Sequence, residues 1–253
     1  MVRGLELFRD KFSDYCKQYV LIGGAACDIL MERSGLEFRV TKDLDIVLFV
    51  ESLSPEFART FWAFIEDGGF SHRHKATGGN QYYRFEEPAD SAYPQMIELF
   101  STKPDLIDLA ANSQLTPLPI GDKGESLSAI LLNAEYYNLI HSGVILESGL
   151  PVVSAECLIP LKARAWLDLS ERKTAGEEVD SRHVKKHKND VFRLFRIIDP
   201  ATALHLGGQL RVDMERFLAA MRTEAVDLKN LGITDRDLAA VLVKLDEIYL
   251  SHR

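Results

Sequence analysis

Two stretches of sequence decide the fold, Tyr19-Val-Leu-Ile-Gly-Gly-Ala-Ala-Cys-Asp-Ile-Leu30 and Arg39-Val-Thr-Lys-Asp-Leu-Asp-Ile-Val-Leu-Phe-Val50. The first predicts a short apolar strand that enters a diglycine turn, followed by a helix. The second predicts a strand that opens with Asp43 and Asp45, which share one face because residues i and i+2 of a strand point the same way. Glycines allow backbone N–H groups at a helix start to approach a phosphate, and paired carboxylates can bind a divalent cation. The two stretches together indicate chemistry on a nucleoside triphosphate.

Composition is that of an ordinary globular protein. The 253 residues, 46% hydrophobic and 27% charged, are enough for one large domain or two small ones. No apolar run approaches the roughly 18 residues that a membrane span needs, and the first residues lack the continuous apolar core of a signal peptide. The three cysteines are odd in number and far apart, which argues against a disulfide framework. We therefore expect a cytoplasmic protein without membrane association.

The net charge of −8 restricts the partners. A protein that binds long duplex nucleic acid is usually basic, so we expect no stable binding to duplex DNA and only local contacts with any nucleic acid. The strongest basic cluster is residues 182–188. It could contact the phosphates of an RNA acceptor or of the nucleotide, or it could be a solvated helix start. His183 and His187 have the i,i+4 spacing of metal ligands, but the surrounding lysines disfavour a zinc site.

Periodicity in the first half predicts a small mixed α/β sheet. The expected helices are residues 3–18, 25–32 and a third that begins after Ser54-Pro55, a capping residue followed by a first-turn proline, and stops at Gly68-Gly69. The expected strands are residues 20–22, 43–50, 72–75, 81–85 and 95–100, with a glycine turn at 78–80. The motif Tyr82-Tyr83-Arg84-Phe85 reads as a strand with alternating buried rings rather than as a base-stacking surface.

The second half predicts helices and a polar loop. The expected helices are residues 126–141, 154–170, 182–198, 212–222 and 235–252, with a surface loop at 171–180. The predicted fold class is therefore α+β, with a small mixed sheet flanked by helices and followed by a helical C-terminal region. We place the boundary between an α/β core of residues 1–120 and a helical region of residues 121–253 that packs on it.

The carboxylates are candidate metal ligands. An isolated Asp-x-Asp often does no more than accept local backbone hydrogen bonds. Here the pair heads an apolar strand, and a third acid, Glu98, lies inside the apolar run Met96-Ile97-Glu98-Leu99-Phe100. Buried carboxylates are costly unless a cation accompanies them, and acids from adjacent strands can hold the metals of phosphoryl transfer. Asp43 and Asp45 would bind both metals and Glu98 would help to activate the acceptor hydroxyl. The alternative for Glu98 is a solvent-facing position on an edge strand.

These residues carry a family resemblance. The diglycine, the helix and Arg39-x-Thr41-x-Asp43-Leu44-Asp45-Ile46 together resemble the DNA polymerase β-type nucleotidyltransferase superfamily. Within it, the chain resembles the abortive-infection (Abi) nucleotidyltransferase toxins of type IV toxin–antitoxin systems. Val153-Ser-Ala-Glu-Cys-Leu-Ile-Pro-Leu-Lys-Ala-Arg-Ala-Trp166 is similar to that family's lysine-bearing helix, and Lys186-His-Lys-Asn-Asp190 is similar to its lysine–aspartate motif. The first block is shared with antibiotic nucleotidyltransferases.

The resemblance implies roles for the residues of the first block. Gly23 and Gly24 would cradle the triphosphate, and Asp43 and Asp45 would bind Mg²⁺ or Mn²⁺. Thr41 belongs to the same block and is assigned to nucleotide binding. Taken alone, the diglycine could equally be a strand-to-helix turn without a ligand.

The resemblance also implies roles in the second half. Lys162 would contact the phosphates of the nucleotide, and Asp190 would complete the later motif by positioning Lys162 or the nucleotide. As alternatives, Lys162 could extend along its helix to solvent, and Asp190 could be a surface acid paired with Lys186 at i,i+4.

The expected function is metal-dependent transfer of NMP from an NTP to an acceptor hydroxyl. The resemblance suggests RNA as acceptor, especially the 3′ end of tRNA, with a toxin role and a separate antitoxin protein as partner. The alternatives are modification of a small hydroxylated molecule such as a cationic antibiotic, which an acidic chain would attract, and a non-catalytic nucleotide- or protein-binding relative. The sequence motifs of serine hydrolases, P-loop NTPases and Rossmann dehydrogenases are absent.

Overall fold

A computed structural model describes residues 2–77, 80–100 and 133–251. The described residues form two compact units. The first, here called the sheet unit, contains the described residues before 101 together with Val144–Val153. The second, here called the helical unit, contains Asn133–Gly143 and the described residues from Ser154 onward. The chain therefore passes from one unit to the other more than once.

The sheet unit contains a mixed seven-stranded sheet. Its helices are α1 (Leu5–Phe12), α2 (Gly23–Arg33) and α3 (Pro55–Gly68). Its strands are β1 (Tyr19–Ile22), β2 (Asp43–Leu48), β3 (Ser71–Thr77), β4 (Asn80–Glu86), β5 (Met96–Phe100), β6 (Val144–Glu147) and β7 (Leu150–Val153). The strand order is β3-β4-β5-β2-β1-β7-β6, with β1/β7 and β2/β5 parallel and the other neighbours antiparallel. The predicted mixed α/β class is confirmed.

Local signals place α3 where the sequence predicts it. The Ser54 hydroxyl oxygen accepts a hydrogen bond from the Phe57 N–H at 3.1 Å, and Pro55 is the first helical residue. Gly69 ends the helix in the left-handed conformation with φ 61°. A side-chain cap, a first-turn proline and a left-handed glycine each satisfy or remove unpaired backbone groups at a helix end.

An aromatic core fixes the strand that leads to the diglycine. Phe8 and Phe12 of α1 stack with ring centroids 4.3 Å apart, and the Tyr19 ring meets Phe8 edge-on at 5.5 Å. Phe57 and Phe64 of α3 also pack against Phe12, with ring centroids 5.6 and 5.5 Å away. All four residues of β1 are buried. The end of β1 at Ile22 is therefore held firmly, and so is the turn that follows it.

The helical unit is built on five α-helices among the described residues. They are α4 (Ala134–Ser142), α5 (Ala155–Thr174), α6 (Ser181–Phe195), α7 (Gly208–Met221) and α8 (Leu238–Tyr249). Trp166 of α5 meets Phe217 of α7 edge-on, with ring centroids 5.5 Å apart. Asp180 and Asp237 cap α6 and α8 by accepting backbone N–H hydrogen bonds. No helix among the described residues has the length and apolar content needed to cross a bilayer.

The sequence did not predict the β6–β7 hairpin. It lies in the stretch predicted as purely helical, and its turn residues Ser148 and Gly149 both have positive φ, 49° and 81°. The α5 helix also continues to Thr174, so the loop predicted from residue 171 begins later. The turn at Gly78-Gly79, the helix start near 126 and the boundary at 121 fall outside the described residues. The division into domains 1–120 and 121–253 stays a prediction.

Candidate functional site

The diglycine forms the first turn of a helix. The α2 helix begins at Gly23, directly after the last residue of β1. Gly23 has φ +67°, a conformation that glycine adopts without strain, and this lets the chain turn sharply from strand to helix. The capping position, Ile22, offers no side-chain hydrogen bond, and the first turn carries no acidic residue. Because the first N–H groups of a helix lack intrahelical acceptors, this end suits an anion.

Asp45 lies directly against this helix start. Its Oδ2 atom accepts a hydrogen bond from the Gly24 N–H at 3.4 Å. A Cβ atom at position 23 would overlap Asp45 Oδ2 and would lie 2.6 Å from Asp45 Cγ. The positive φ alone explains a turn, but it does not explain this close approach. Position 23 is therefore restricted to glycine both by its backbone and by the carboxylate beside it.

Thr41 and Arg39 lie beside the next glycine. A Cβ atom at position 24 would overlap the Thr41 hydroxyl oxygen and would lie 3.5 Å from Arg39 Nη2. The Arg39 guanidinium is also 4.9 Å from the centroid of the Phe38 ring, a cation–π distance. Thr41 is a predicted nucleotide-binding residue, whereas Arg39 has no predicted role. A guanidinium next to a helix start reinforces its positive potential.

The predicted carboxylates share one face of the sheet. Asp45 of β2 pairs in register with Glu98 of β5, and Glu98 pairs with Arg84 of β4. Residues in register on neighbouring strands point to the same face, and Asp43 joins them as the i−2 neighbour of Asp45. Strand β5 lies between β4 and β2, and Glu98 is only 8% exposed. The alternative that placed Glu98 on a solvent-facing edge strand is therefore wrong.

An arginine accompanies Glu98. Its Oε1 atom accepts hydrogen bonds from Arg84 Nε at 2.9 Å and from Arg84 Nη2 at 2.6 Å. A buried carboxylate requires a compensating positive charge or several donors, and the guanidinium supplies both. Across β4, β5 and β2, the register therefore places the Arg84 guanidinium, the Glu98 carboxylate and the Asp45 carboxylate side by side. The assignment of Glu98 as third metal ligand stays a prediction.

The carboxylate pair fits a metal that arrives with the substrate. Within the described part of the chain, no cluster of three or more His, Cys, Asp or Glu side chains is placed to hold a metal. Asp43 and Asp45 are partly exposed. Mg²⁺ usually takes one or two protein carboxylates and completes its octahedron with waters and substrate phosphates. Two carboxylates beside a helix start that suits an anion fit that arrangement, whereas a closed, all-protein site would need more ligands.

The two predicted residues of the second half form a buried ion pair within the helical unit. Lys162 Nζ lies 3.3 Å from Asp190 Oδ2, with Lys162 4% exposed and Asp190 fully buried. Asp190 Oδ1 also accepts a hydrogen bond from Arg193 Nη1 at 3.2 Å. The alternatives of a solvent-extended lysine and a surface acid are therefore wrong. The role of either residue in nucleotide binding stays a prediction.

Comparison with known proteins gives distant similarities only. No protein-family model matches the chain, and no curated protein does. Among solved structures, the chain is similar to an antigenic nucleotidyltransferase-like protein from Paracoccidioides brasiliensis, at 16% identity over 93% of both chains with a TM-score of 0.45. It is also similar to JHP933 from Helicobacter pylori, at 15% identity over 96% of this chain and 85% of that chain with a TM-score of 0.32. Similarity at this level assigns neither a family nor a function.

Proposed function

We propose that the protein is a nucleotidyltransferase that transfers NMP from an NTP to an acceptor hydroxyl and releases pyrophosphate. One observation carries the proposal: the Asp45 carboxylate touches the diglycine start of α2. The helix start favours a negatively charged group, whereas the carboxylate pair favours a cation. A triphosphate with a bound divalent cation satisfies both at once.

The first requirement of this reaction is to hold the triphosphate. The Gly23 and Gly24 N–H groups donate to phosphate oxygens, and Arg39 adds a positive charge beside them. The hydrogen bond between Asp45 and the Gly24 N–H is at the long end of the normal range at 3.4 Å, so a phosphate can replace it at small cost. The Asp45 carboxylate would then bind a cation on the same phosphates.

The second requirement is to transfer the nucleotidyl group. A new bond forms from the acceptor oxygen to the α-phosphorus, and the bond from that phosphorus to the bridging oxygen breaks, so that pyrophosphate leaves. Asp43 and Asp45 would hold Mg²⁺ or Mn²⁺, which when bound would neutralise charge on the phosphates. The acceptor proton passes to a base, for which Glu98 is our candidate. Its ion pair with Arg84 fixes the orientation of the Glu98 side chain.

The acceptor is the finer part of the proposal. RNA, in particular the 3′ end of tRNA, follows from the resemblance of the later sequence blocks to the Abi toxins, and a separate antitoxin would then be the partner. A small cationic molecule is the second candidate, because the net charge of −8 attracts cations.

The test offers each α-labelled NTP with Mg²⁺ to the protein, together with total RNA or a panel of aminoglycosides and lincosamides. Asp43→Asn and Asp45→Asn remove one charge each and should lower transfer by about 10²-fold or more. Glu37→Gln is the matched control, because Glu37 is an exposed acid near the same strand.

The acceptor that takes the label decides between the two candidates. Label on tRNA supports the toxin-type activity, and label on a drug supports the small-molecule activity. Transfer to neither, with wild type indistinguishable from Asp43→Asn, would refute the enzymatic proposal. Saturable NTP binding in that case would favour the non-catalytic relative.

A further inference from the structure

The helical unit contains a cleft that the proposed reaction does not use. Its volume is about 340 Å³, within the range of small-molecule sites. The end of α6, the residues that follow it, the turn before α8 and α8 itself line this cleft. Phe195, Ile233 and Ile248 form its nearly buried apolar wall, and Ile198 and Pro200 are the apolar lining residues that keep accessible surface. The cleft therefore offers an apolar surface to a small ligand.

An arginine is built into the wall of this cleft. Arg196 lies at the C-terminal end of α6, and its guanidinium rests on Gly232. A Cβ atom at position 232 would lie 2.6 Å from both Cζ and Nη1 of Arg196. The glycine, which has φ +79°, thus leaves the space that the guanidinium occupies. This packing holds the guanidinium at the cleft.

Arg196 differs from the other cations of the cleft in its pairing. Arg236 forms an ion pair with Asp235 at 2.6 Å, and Lys244 pairs with Glu247 at 3.0 Å. Among the residues that the structure describes, no carboxylate lies within ion-pair distance of Arg196. A guanidinium held in place without a carboxylate is a ready site for an anion, because its planar fork of donors matches an oxyanion group.

We propose that this cleft binds a small organic carboxylate whose apolar body lies on Ile198 and Pro200. Arg236 is paired with Asp235 and Lys244 with Glu247, so among the described residues the cleft charges outside an ion pair are the Arg196 guanidinium and the Asp199 carboxylate. The single guanidinium matches the single negative charge of a carboxylate. A doubly charged phosphate monoester would be repelled more strongly by Asp199 and Asp235.

The test compares three probes that share a benzyl group on the full wild-type chain, by calorimetry and by the NMR signals of arginine side chains. The probes are phenylacetate, its neutral amide phenylacetamide, and benzyl phosphate. We expect saturable binding of phenylacetate, at least about tenfold weaker binding of phenylacetamide, and weaker binding of benzyl phosphate than of phenylacetate. Absence of saturable phenylacetate binding, or equal binding of the amide, would overturn the proposal. Tighter binding of benzyl phosphate would overturn the choice of a carboxylate.

Variants locate the site. Arg196→Gln should abolish the difference between phenylacetate and phenylacetamide, and Gly232→Ala, which displaces the guanidinium, should weaken phenylacetate binding. Arg222→Gln is the matched control, since Arg222 is an exposed arginine at the C-terminal end of another helix of this unit. Equal affinity for phenylacetate in wild type and a folded Arg196→Gln would contradict the proposal. If Arg196→Gln fails to fold, the three-probe comparison on wild type still decides the question.

Discussion

Replacement of Gly23 by alanine separates the conformational role of the diglycine from its role in the site. Gly23 and Gly35 both have positive φ, +67° and +69°, so an alanine at either position suffers similar backbone strain. The surroundings differ. A Cβ atom at position 35 meets nothing within 4 Å, whereas at position 23 it overlaps the Asp45 carboxylate. Gly35→Ala is therefore a matched control that carries the strain without the collision.

The magnitudes follow from these distances. An alanine in the left-handed region costs about 1–2 kcal/mol, so Gly35→Ala should lose about that much free energy of unfolding and Gly23→Ala at least that much. In Gly23→Ala the new Cβ would lie 2.6 Å from Asp45 Cγ, whereas carbon atoms in contact are about 3.5 Å or more apart. The carboxylate must therefore move by at least about 1 Å, since its Oδ2 atom lies still closer to the new Cβ. A misplacement of that size in a catalytic group costs on the order of 10²-fold in rate, or about 2.7 kcal/mol of activation free energy.

The assay measures both quantities on the same samples. Urea unfolding followed by circular dichroism gives the free energy of unfolding, and release of pyrophosphate from the NTP in the presence of the acceptor gives the rate. We expect Gly35→Ala to keep the wild-type rate and Gly23→Ala to lose about 10²-fold. If folded Gly23→Ala transfers nucleotide as fast as Gly35→Ala, the contact between Gly23 and Asp45 has no part in the reaction and the reasoning is refuted.

Three further predictions concern the stability and reactivity of the helical unit. Asp213, 1% exposed, accepts hydrogen bonds from Tyr136 Oη and Gln209 Nε2, both at 2.9 Å, and lies 3.4 Å from Arg164 Nη1. Asp213→Ala leaves these buried partners without their acceptor and should lower the free energy of unfolding in urea by about 3–5 kcal/mol. A loss below about 1 kcal/mol would contradict a structural role for Asp213. Hydrogen bonds from the Arg182 side chain and backbone lower the pKa of Asp180 from 3.8 to about 2, so its contribution to stability is present above pH 3.8 and is lost as the pH falls towards 2. The difference in urea midpoint between wild type and Asp180→Ala should therefore be constant above that range and should shrink within it; a difference independent of pH would exclude the charged cap. Burial raises the pKa of the Cys157 thiol to about 11. Iodoacetamide at pH 8 should therefore label Cys157 slowly in the native protein and rapidly in urea. Equal labelling rates in the two conditions, measured by mass spectrometry, would contradict this prediction.

The elements that sequence could predict are those with local signals. The strand β1, the turn and the helix α2 follow from a short apolar run that meets two glycines, and α3 follows from Ser54, Pro55 and Gly69. The β6–β7 hairpin has a weaker local signal. Its apolar runs are so short that periodicity cannot distinguish them from a helix segment. Its signal was Ser148-Gly149, a turn pair with positive φ between two apolar runs.

The site was predictable only as far as single strands allow. The i,i+2 rule places Asp43 and Asp45 on one face, and the structure agrees. The partners of these residues depend on register across the sheet: Arg84 reaches Glu98 because β4 pairs with β5. Helical periodicity likewise could not tell that Lys162 is covered, because Asp190, which covers it, belongs to another helix. The spacing of residues within one helix or strand does not reveal which residues of another helix or strand they contact.

A single register connects the fold to the proposed chemistry. In the antiparallel pair β1/β2, Ile22 lies opposite Asp45, so the carboxylate falls beside the first residue of α2. A slip of one residue would turn Asp45 to the opposite face of the sheet and would remove both the hydrogen bond to the Gly24 N–H and the constraint on Gly23. The buried residues Leu44 and Ile46 on either side of Asp45 oppose such a slip, because it would carry both of them to the other face. The packing that stabilises the sheet therefore also positions the carboxylate beside Gly23, whose left-handed backbone conformation glycine adopts without strain.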